Sequence, residues 1–162
     1  MAGYDYFLQI DGIEGESNDA KHKGWIDVES WSWGEAQTGS LHTGSGGGAG
    51  KVAFQDLHFT SKVSKASPKL FLACASGQHL KEARLVGRRA AKDQQEFLTW
   101  TFSDLLVSSY QTGGSDGGEQ PPFDSVSLNV TKARIEYKAV KADGSLDAPI
   151  SAGWDSKTNK KA

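Results

Sequence analysis

The chain has 162 residues, with 18 basic and 20 acidic side chains, a formal net charge of -2 and a single cysteine, Cys74. That length predicts one domain over residues 1–162, with a core that needs neither disulfides nor metals. The charge balance argues against a dedicated nucleic-acid binder, and one cysteine excludes an intrachain disulfide. Because the segment after Met1 lacks the basic and apolar regions of a secretory leader, and no stretch approaches about 18 apolar residues, we expect a soluble cytoplasmic product without membrane insertion.

The first strand pattern covers residues 4–10, where large apolar side chains alternate with others: Tyr4, Tyr6, Leu8 and Ile10. A period of two residues is typical of a strand with one buried face. Asp11-Gly12 is a turn signal that closes this strand. The polar stretch that follows, residues 15–19, predicts an exposed loop.

The next strand pattern, residues 25–34, changes its apolar side partway along. The apolar side chains are Ile26 and Val28 on one face, then Trp31 and Trp33 on the other. Such a change predicts a bulge or bend near Glu29-Ser30. Ser32 then points away from both tryptophans.

A second irregularity is expected near Gln55-Asp56, because Leu57 and Phe59 fall out of phase with Val52 and Phe54. Bulges of this kind bend a strand and increase its twist. Two bent strands favour a closed or strongly curved sheet.

A glycine-rich run joins these two strand patterns: Gly44-Ser45-Gly46-Gly47-Gly48-Ala49-Gly50-Lys51. A phosphate-binding loop with the pattern GxxxxGK[ST] would continue into a helix. Here Ser45 occupies the first glycine position, Val52 follows the lysine, and a strand pattern comes next; the dinucleotide-binding fingerprint also requires a helix. The run therefore predicts a connector that is free to extend and to pair with another surface.

One helix is predicted near residues 67–77. Ser67 is a suitable N-cap, Pro68 fits the first helical position, and Gly77 supplies a left-handed end. The expected apolar stripe consists of Leu70, Phe71, Ala73 and Cys74. On this pattern Cys74 is a small buried side chain and not a nucleophile.

Further strand patterns occupy residues 83–87, 97–106, 126–130 and 135–137. A loop at residues 112–122 and a turn at residues 142–145 interrupt them, and neither is long enough to separate domains. The fold is therefore predicted to be mainly β with a single packed helix.

No constellation of catalytic or metal-binding residues stands out, so neither a cofactor nor a metal is expected. The four histidines have no ligand spacing: His22, His42, His58 and His79. The carboxylates alternate as on the solvated side of strands: Asp5, Asp27, Glu29, Asp56 and Glu96. Two of them could still meet in space, so a small β-barrel hydrolase remains the enzyme alternative.

Basic residues form two groups that would make a positive band if their strands are neighbours: Lys81, Arg84, Arg88, Arg89 and Lys92, and then Lys132, Arg134, Lys138 and Lys141. The simplest interpretation is a solvated face or a subunit contact. Opposite charges on two surfaces favour head-to-tail association, which closes into a ring when the rotation permits. A basic-faced nucleic-acid-binding module is the remaining alternative.

Short segments in a characteristic order and spacing carry a family resemblance: Gly15-Glu16-Ser17, Ile26-Asp27-Val28, Trp31-Ser32-Trp33-Gly34, Gly46-Gly47-Gly48-Ala49-Gly50-Lys51-Val52, Gln55-Asp56-Leu57, Ala73-Cys74-Ala75-Ser76-Gly77, Leu106-Val107-Ser108-Ser109, Lys141-Ala142-Asp143-Gly144 and Gly153-Trp154. Each segment alone is weak evidence, but their order and spacing together are specific. Nearly end to end, the chain resembles the Hcp family, the haemolysin-coregulated tube proteins of the bacterial type VI secretion system.

The resemblance implies a β-barrel of two packed antiparallel sheets with one flanking α-helix and a long extended Gly-rich loop. It implies homohexameric rings that stack into an inner tube, with sheath proteins around it, a spike protein at its tip and small effector proteins in its lumen. It also implies secretion without a signal peptide, because the tube itself is expelled, and no catalysis. Virulence and interbacterial competition are the settings in which such tubes act.

Two sets of residues receive roles from the resemblance. The extended loop corresponds to residues 39–51 and is expected to reach a neighbouring subunit or ring, through Ser40, Leu41, His42, Thr43, Gly44, Ser45, Gly46, Gly47, Gly48, Ala49 and Gly50. Ser32 is the candidate lumen-facing contact for effectors, because strand alternation places it opposite the tryptophans.

Overall fold

The computed structural model describes residues 3–39, 50–89 and 94–162. Their elements, in chain order, are β1 (Tyr4–Ile10), β2 (Ile26–Val28), β3 (Ser30–Ser32), β4 (Glu35–Gln37), β5 (Val52–Phe54), β6 (Leu57–Lys62), α1 (Ala66–Ser76), β7 (Leu80–Arg89), β8 (Glu96–Gly113), β9 (Phe123–Tyr137), β10 (Ile150–Asp155) and β11 (Lys160–Lys161). The predicted mainly β fold with a single helix is confirmed for this part of the chain.

The main sheet has nine antiparallel strands. Its longest path is β11–β10–β9–β8–β7–β1–β2, and β6 with β3 branches from β9. The branch arises because β9 is long: residues 123–128 pair with β6 and residues 132–137 pair with β10. The separate strands β4 and β5 form a two-stranded arm.

The sheet curls back on itself at the bend predicted near Glu29. β2 pairs with β1 while β3 pairs with β6, and only Glu29 separates the two strands. The amide of Glu29 donates a hydrogen bond to the carbonyl oxygen of Thr60, 2.8 Å away. Gln55 and Asp56 likewise separate β5 from β6, so the second predicted irregularity is confirmed. These bends make the curved, barrel-like architecture that the sequence predicts.

The two longest strands turn a corner together. Phe102 and Leu105 of β8 are both buried although they are three positions apart, and so are Val130 and Ala133 of β9. Between them Asp104 has a φ of 52°. This left-handed residue shifts the inward-facing side of the strand, so the core stays on the concave side of the sheet.

The helix begins earlier than the sequence pattern predicts, at Ala66 instead of after Ser67. The start is set by two serines: the Ser64 amide donates to Ser67 Oγ at 3.0 Å, and the Ala66 amide donates to Ser64 Oγ at 3.2 Å. The predicted end is confirmed, because Gly77 has a φ of 64°.

The helix packs on the barrel through a narrow stripe of side chains. Leu70 and Ala73 are buried, and Cys74 is half-buried against the core. The expectation that Phe71 belongs to the buried stripe is wrong, since its side chain is 60% exposed. The apolar stripe is therefore narrower than predicted.

The expectation of an exposed loop at residues 15–19 holds only in part: Glu16 and Asn18 are exposed, whereas Gly15 and Ser17 are buried. Ile13, Ser17 and His22 are buried, because the segment between β1 and β2 folds back over the outer face of β1. There His22 stacks on Phe7 with ring centroids 4.3 Å apart. The polar composition of this segment gave no indication that it covers the apolar side chain of Phe7.

Candidate assembly surfaces

Ser32 lies on the outer face of the sheet, as strand alternation predicts. It is exposed and pairs with His58 of β6, which in turn pairs with Ser127 of β9. The residues beside this row that point inward, Phe59 and Val126, are completely buried. The outer row belongs to a surface that we call the hydroxyl face, formed by Ser30, Ser32, His58, Thr60, Ser125 and Ser127.

Neutral hydrogen-bonding groups hold the hydroxyl face together. His58 lies between two hydroxyls, with Nδ1 3.1 Å from Ser127 Oγ and Nε2 3.1 Å from Ser125 Oγ. Ser30 Oγ and Thr60 Oγ1 are 2.5 Å apart. Because a hydroxyl can donate or accept, this surface can satisfy varied polar partners.

A groove of about 710 Å³ opens on the concave side of the barrel. We call it the tryptophan groove; its lining includes the large apolar side chains of Trp33, Phe54, Trp100, Ile135 and Trp154. Its floor continues the core, because Trp33 lies 5.1 Å from both Phe54 and Trp100, centroid to centroid. The arm forms one wall and β10 with β11 the other. The groove therefore exposes core-like aromatic surface of the kind enriched where proteins bind partners.

The walls of the tryptophan groove differ in charge. Arg134 and Lys161 lie on the β9 to β11 side, with the exposed Lys160 next to them. Glu35 of the arm lies on the opposite side. Arg134 donates to Ser151 Oγ at 2.9 Å, a neutral partner. The rim thus carries more positive than negative charge.

The arm is the base of the Gly-rich loop. Glu35 pairs with Phe54 and Gln37 with Val52, and Thr38 Oγ1 donates to the Lys51 carbonyl oxygen at 2.8 Å. Residues 40–49 lie outside the described residues, so their predicted contacts stay predictions. Gly50 is described and packs directly against the backbone of Gly39. The two ends of the loop are therefore held together.

The predicted positive band is broken by a buried ion cluster. Arg88 is only 6% exposed; its Nη1 lies 2.7 Å from Asp19 Oδ1, and its guanidinium lies over the Phe7 ring. Lys92 lies outside the described residues. Arg84 and Arg134 do share one row, one on either side of Thr101.

His22 completes this ion cluster from the covering segment. Its Nδ1 lies 2.7 Å from Asp19 Oδ2 and its Nε2 lies 2.6 Å from Glu96 Oε1. Carboxylates accept hydrogen bonds, so a ring protonated on both nitrogens satisfies both contacts. Burial alone would raise the pKa of Asp19, but hydrogen bonds from His22, Arg88 and the Lys21 amide outweigh it and lower that pKa to about 2.

These contacts revise the expectation that the strand carboxylates are simply solvated. Asp27 and Glu29 are exposed as predicted, whereas Glu96 pairs with His22 and Asp5 Oδ2 lies 3.4 Å from Arg88 Nε. No cluster of three or more metal-ligating side chains occurs among residues 3–39, 50–89 and 94–162. No helix in that part of the chain is long and apolar enough to cross a membrane.

Sequence reasoning missed the contribution of β10. Trp154 lines the tryptophan groove, and Ile150 is 72% exposed on the same strand. The alternation of Ile150, Ala152 and Trp154 has the period of a strand and could have revealed it. The burial of His22 had no comparable signal, because Phe7 and Glu96, which help to enclose it, are distant in sequence.

The fold and these surfaces define a class of protein: an antiparallel β-barrel with one flanking helix, an arm beside an open aromatic groove, and a neutral polar outer face. The family model described as "Type VI secretion system effector, Hcp" matches residues 7–137. The chain belongs to the Hcp family of the type VI secretion system.

Individual relatives agree with this assignment. The chain is 46% identical over 160 residues to protein Hcp1 of Pseudomonas aeruginosa, covering 98% of each chain. It is 43% identical to Hcp1 of Salmonella typhimurium, whose crystal structure superposes with a TM-score of 0.83 over 100% of both chains. A structure described as a type six secretion system protein is 31% identical, with a TM-score of 0.91 over 99% of this chain and 100% of that one.

Proposed function

We propose that this chain forms homohexameric rings with a central channel, and that the rings stack into the inner tube of the type VI apparatus. In this proposal a sheath surrounds the tube, a spike protein sits at its tip, and the tube is assembled in the cytoplasm and expelled without a signal peptide. The chain acts as a structural carrier and not as an enzyme.

The tryptophan groove is the observation that carries this proposal. In a protein that works as a monomer, large aromatic side chains such as Trp33 and Trp100 are expected to be covered by other residues of the same chain. Here both line an open groove. Burying such a surface releases about 25 cal/mol per Å² of apolar area, so a partner that fills it gains affinity. In this proposal, the partner that fills the groove is a second copy of the chain.

We assign two further roles within the tube. The loop at residues 39–51, with its ends held together by the arm, reaches a neighbouring subunit or ring. Ser32 and the hydroxyl face around it contact small effector proteins in the lumen. A neutral hydroxyl surface supports this role, because it offers hydrogen bonds to varied cargo without a strong attraction that would prevent release.

The native mass of the purified protein tests the ring. Light scattering should give about 104 kDa, six times the 17.4 kDa of one chain, and negative-stain images should show rings with an open centre. A compact monomer across a wide concentration range would contradict the proposal.

The role of Ser32 is tested separately in cells. Ser32→Tyr should lower the amount of a small effector exported through the system while export of the tube protein itself is unchanged. Ser145→Tyr, in the exposed turn after Asp143, is the matched control. Equal effector export from both variants would remove Ser32 from the cargo surface.

A further inference from the structure

We propose that neighbouring copies in the ring are joined by two ends of the main sheet that differ in charge. The basic end consists of Arg134, Lys160 and Lys161 beside the tryptophan groove, and it receives the acidic end of the next copy, Glu16, Asp27 and Glu29 beside β2. This inference rests on the proposed function and adds which surfaces meet.

The basic end has an excess of positive charge that the described part of the chain does not neutralise. Lys160 and Lys161 are exposed and form no ion pair with any residue in 3–39, 50–89 or 94–162. Arg134 is exposed and donates hydrogen bonds to the Ser151 hydroxyl and to an oxygen of Ala162. Glu35 across the groove supplies one negative charge.

The acidic end has the opposite excess. Glu16, Asp27 and Glu29 line a second cavity of about 420 Å³, in which Lys62 is the one positively charged lining residue. Asp27 is exposed, but partial desolvation raises the pKa of its carboxyl, while a hydrogen bond from Ser17 and the charge of Lys62 act in the opposite direction. Val63 in the same cavity is 41% exposed and supplies an apolar side chain.

The topology places these two ends on different strands of the main sheet. β11 and β2 terminate the path β11–β10–β9–β8–β7–β1–β2, and the two cavities share no lining residue, so the basic and acidic ends are different patches. A contact between two different patches is heterologous and closes into a ring when the rotation permits. The tryptophan groove provides apolar area for this contact. The charges orient the two copies as they approach, because a reversed orientation would bring like charges together.

Two charge-reversal variants test the pairing. Lys160→Glu with Lys161→Glu reverses the basic end, and Glu16→Lys with Glu29→Lys reverses the acidic end. Like charges then meet at every contact, so the concentration at which rings dissociate should rise at least about tenfold in each variant. Circular dichroism and thermal unfolding establish that both variants remain folded.

Mixing the two variants gives the decisive result. The reversed basic end of one variant is complementary to the reversed acidic end of the other, and their two native ends also match. Equal amounts should therefore form alternating rings of the wild-type mass, which are possible because six is an even number. Lys69→Glu with Lys81→Glu makes the same change in net charge as the reversal of the basic end, on exposed residues away from both ends, and should leave the rings intact.

Each outcome separates this inference from the proposed function. A wild-type monomer contradicts the ring itself. Wild-type rings that persist in both reversed variants contradict only the pairing of these ends. Reversed variants that dissociate but do not recombine on mixing also overturn the pairing, because their charges would then act elsewhere.

Discussion

At the scale of single residues, the ion cluster around His22 shows how a polar segment is fixed to the barrel. Asp19 bridges His22 and Arg88, while Phe7 lies between the ring of His22 and the guanidinium of Arg88. A buried charge is tolerated when it is paired and hydrogen-bonded. The covering segment is therefore held by charge on one side and by apolar contact on the other.

The low pKa of Asp19 makes stability depend on pH. In the folded protein this pKa falls from 3.8 to about 2, so the folded state binds the proton less tightly than the unfolded chain does. The resulting stability is fully present above about pH 5 and is lost as the pH falls through 2; it amounts to at most about 2.5 kcal/mol. In urea unfolding, wild type should exceed Asp19→Asn at pH 5, and the gap should close towards pH 2.

A control separates this effect from a general change in charge. Asp116→Asn removes one negative charge from an exposed position in the β8 to β9 connection. Its stability should follow that of wild type at pH 5 and at pH 2. A gap for Asp19→Asn that stays constant over the same range would show that the ion cluster does not set it.

Gly15 is a residue whose missing side chain is structural. A Cβ there would lie 2.5 Å from the Trp25 carbonyl oxygen and 2.8 Å from the Ile26 Cα, both of them backbone atoms that cannot swing away. We expect Gly15→Ala to lower the free energy of unfolding by about 2 kcal/mol. Gly118→Ala, where the nearest atoms are 3.9 Å away, should change it little. Equal denaturation midpoints for the two variants would contradict this reason.

At the scale of elements, one buried carboxylate adds hydrogen bonds to the apolar contacts that Leu70 and Ala73 of the helix make with the core. Asp124 of β9 is 1% exposed and accepts a hydrogen bond from Ser67 of the helix and one from Tyr110 of β8, the latter at 2.9 Å. Burial and the hydrogen bond to Asp124 raise the pKa of Tyr110, so its hydroxyl stays protonated as a donor. The helix, β8 and β9 therefore meet at a single acceptor.

Removing that acceptor should loosen the helix. Asp124→Ala leaves two hydroxyls without their partner and should cost about 3 kcal/mol, because each unsatisfied buried donor is unfavourable. Chemical denaturation measures the loss, and hydrogen exchange should show it first in the helix. Leu72→Ala, on the same helix but at a side chain that is 62% exposed, should cost under about 1 kcal/mol. Similar costs for both variants would overturn this assignment.

The elements also show where sequence information is sufficient. The bends at Glu29 and at Gln55-Asp56 were predictable because strand alternation is a local property with a period of two. The position of Ser32 on the outer face follows from the same alternation.

Other features depend on residues far apart in sequence. His22, in the segment before β2, is buried and contacts Glu96, a contact that no local pattern contains. The helix start was misplaced because Ser64 and Ser67 are both suitable capping residues, and only the structure shows how they share the amides. Local sequence patterns thus predict where strands and helices occur better than they predict which residues those elements pack against.

At the scale of the whole molecule, the two ends of the main sheet carry opposite charges, which favours head-to-tail assembly of copies. The hydroxyl face is neutral, the end near β11 is basic and the end near β2 is acidic. A molecule with unlike ends adds copies head to tail, whereas one with like ends stops at a dimer. The arm adds a contact whose reach depends on the loop at its tip.

Replacing this loop tests its role in assembly, because the replacement should affect assembly without affecting the fold. Gly39 and Gly50 already touch, so an Asn-Gly turn can replace residues 40–49 without moving β4 or β5. Shortening a loop changes stability only slowly with length, so the free energy of unfolding should change by under about 1 kcal/mol. If the loop reaches a neighbour, light scattering should show loss of the ring or of its stacking. The same turn in place of residues 116–119, in the exposed β8 to β9 connection, should leave assembly unchanged; rings and stacks that survive both replacements would mean that the arm alone, without the loop, makes the contact.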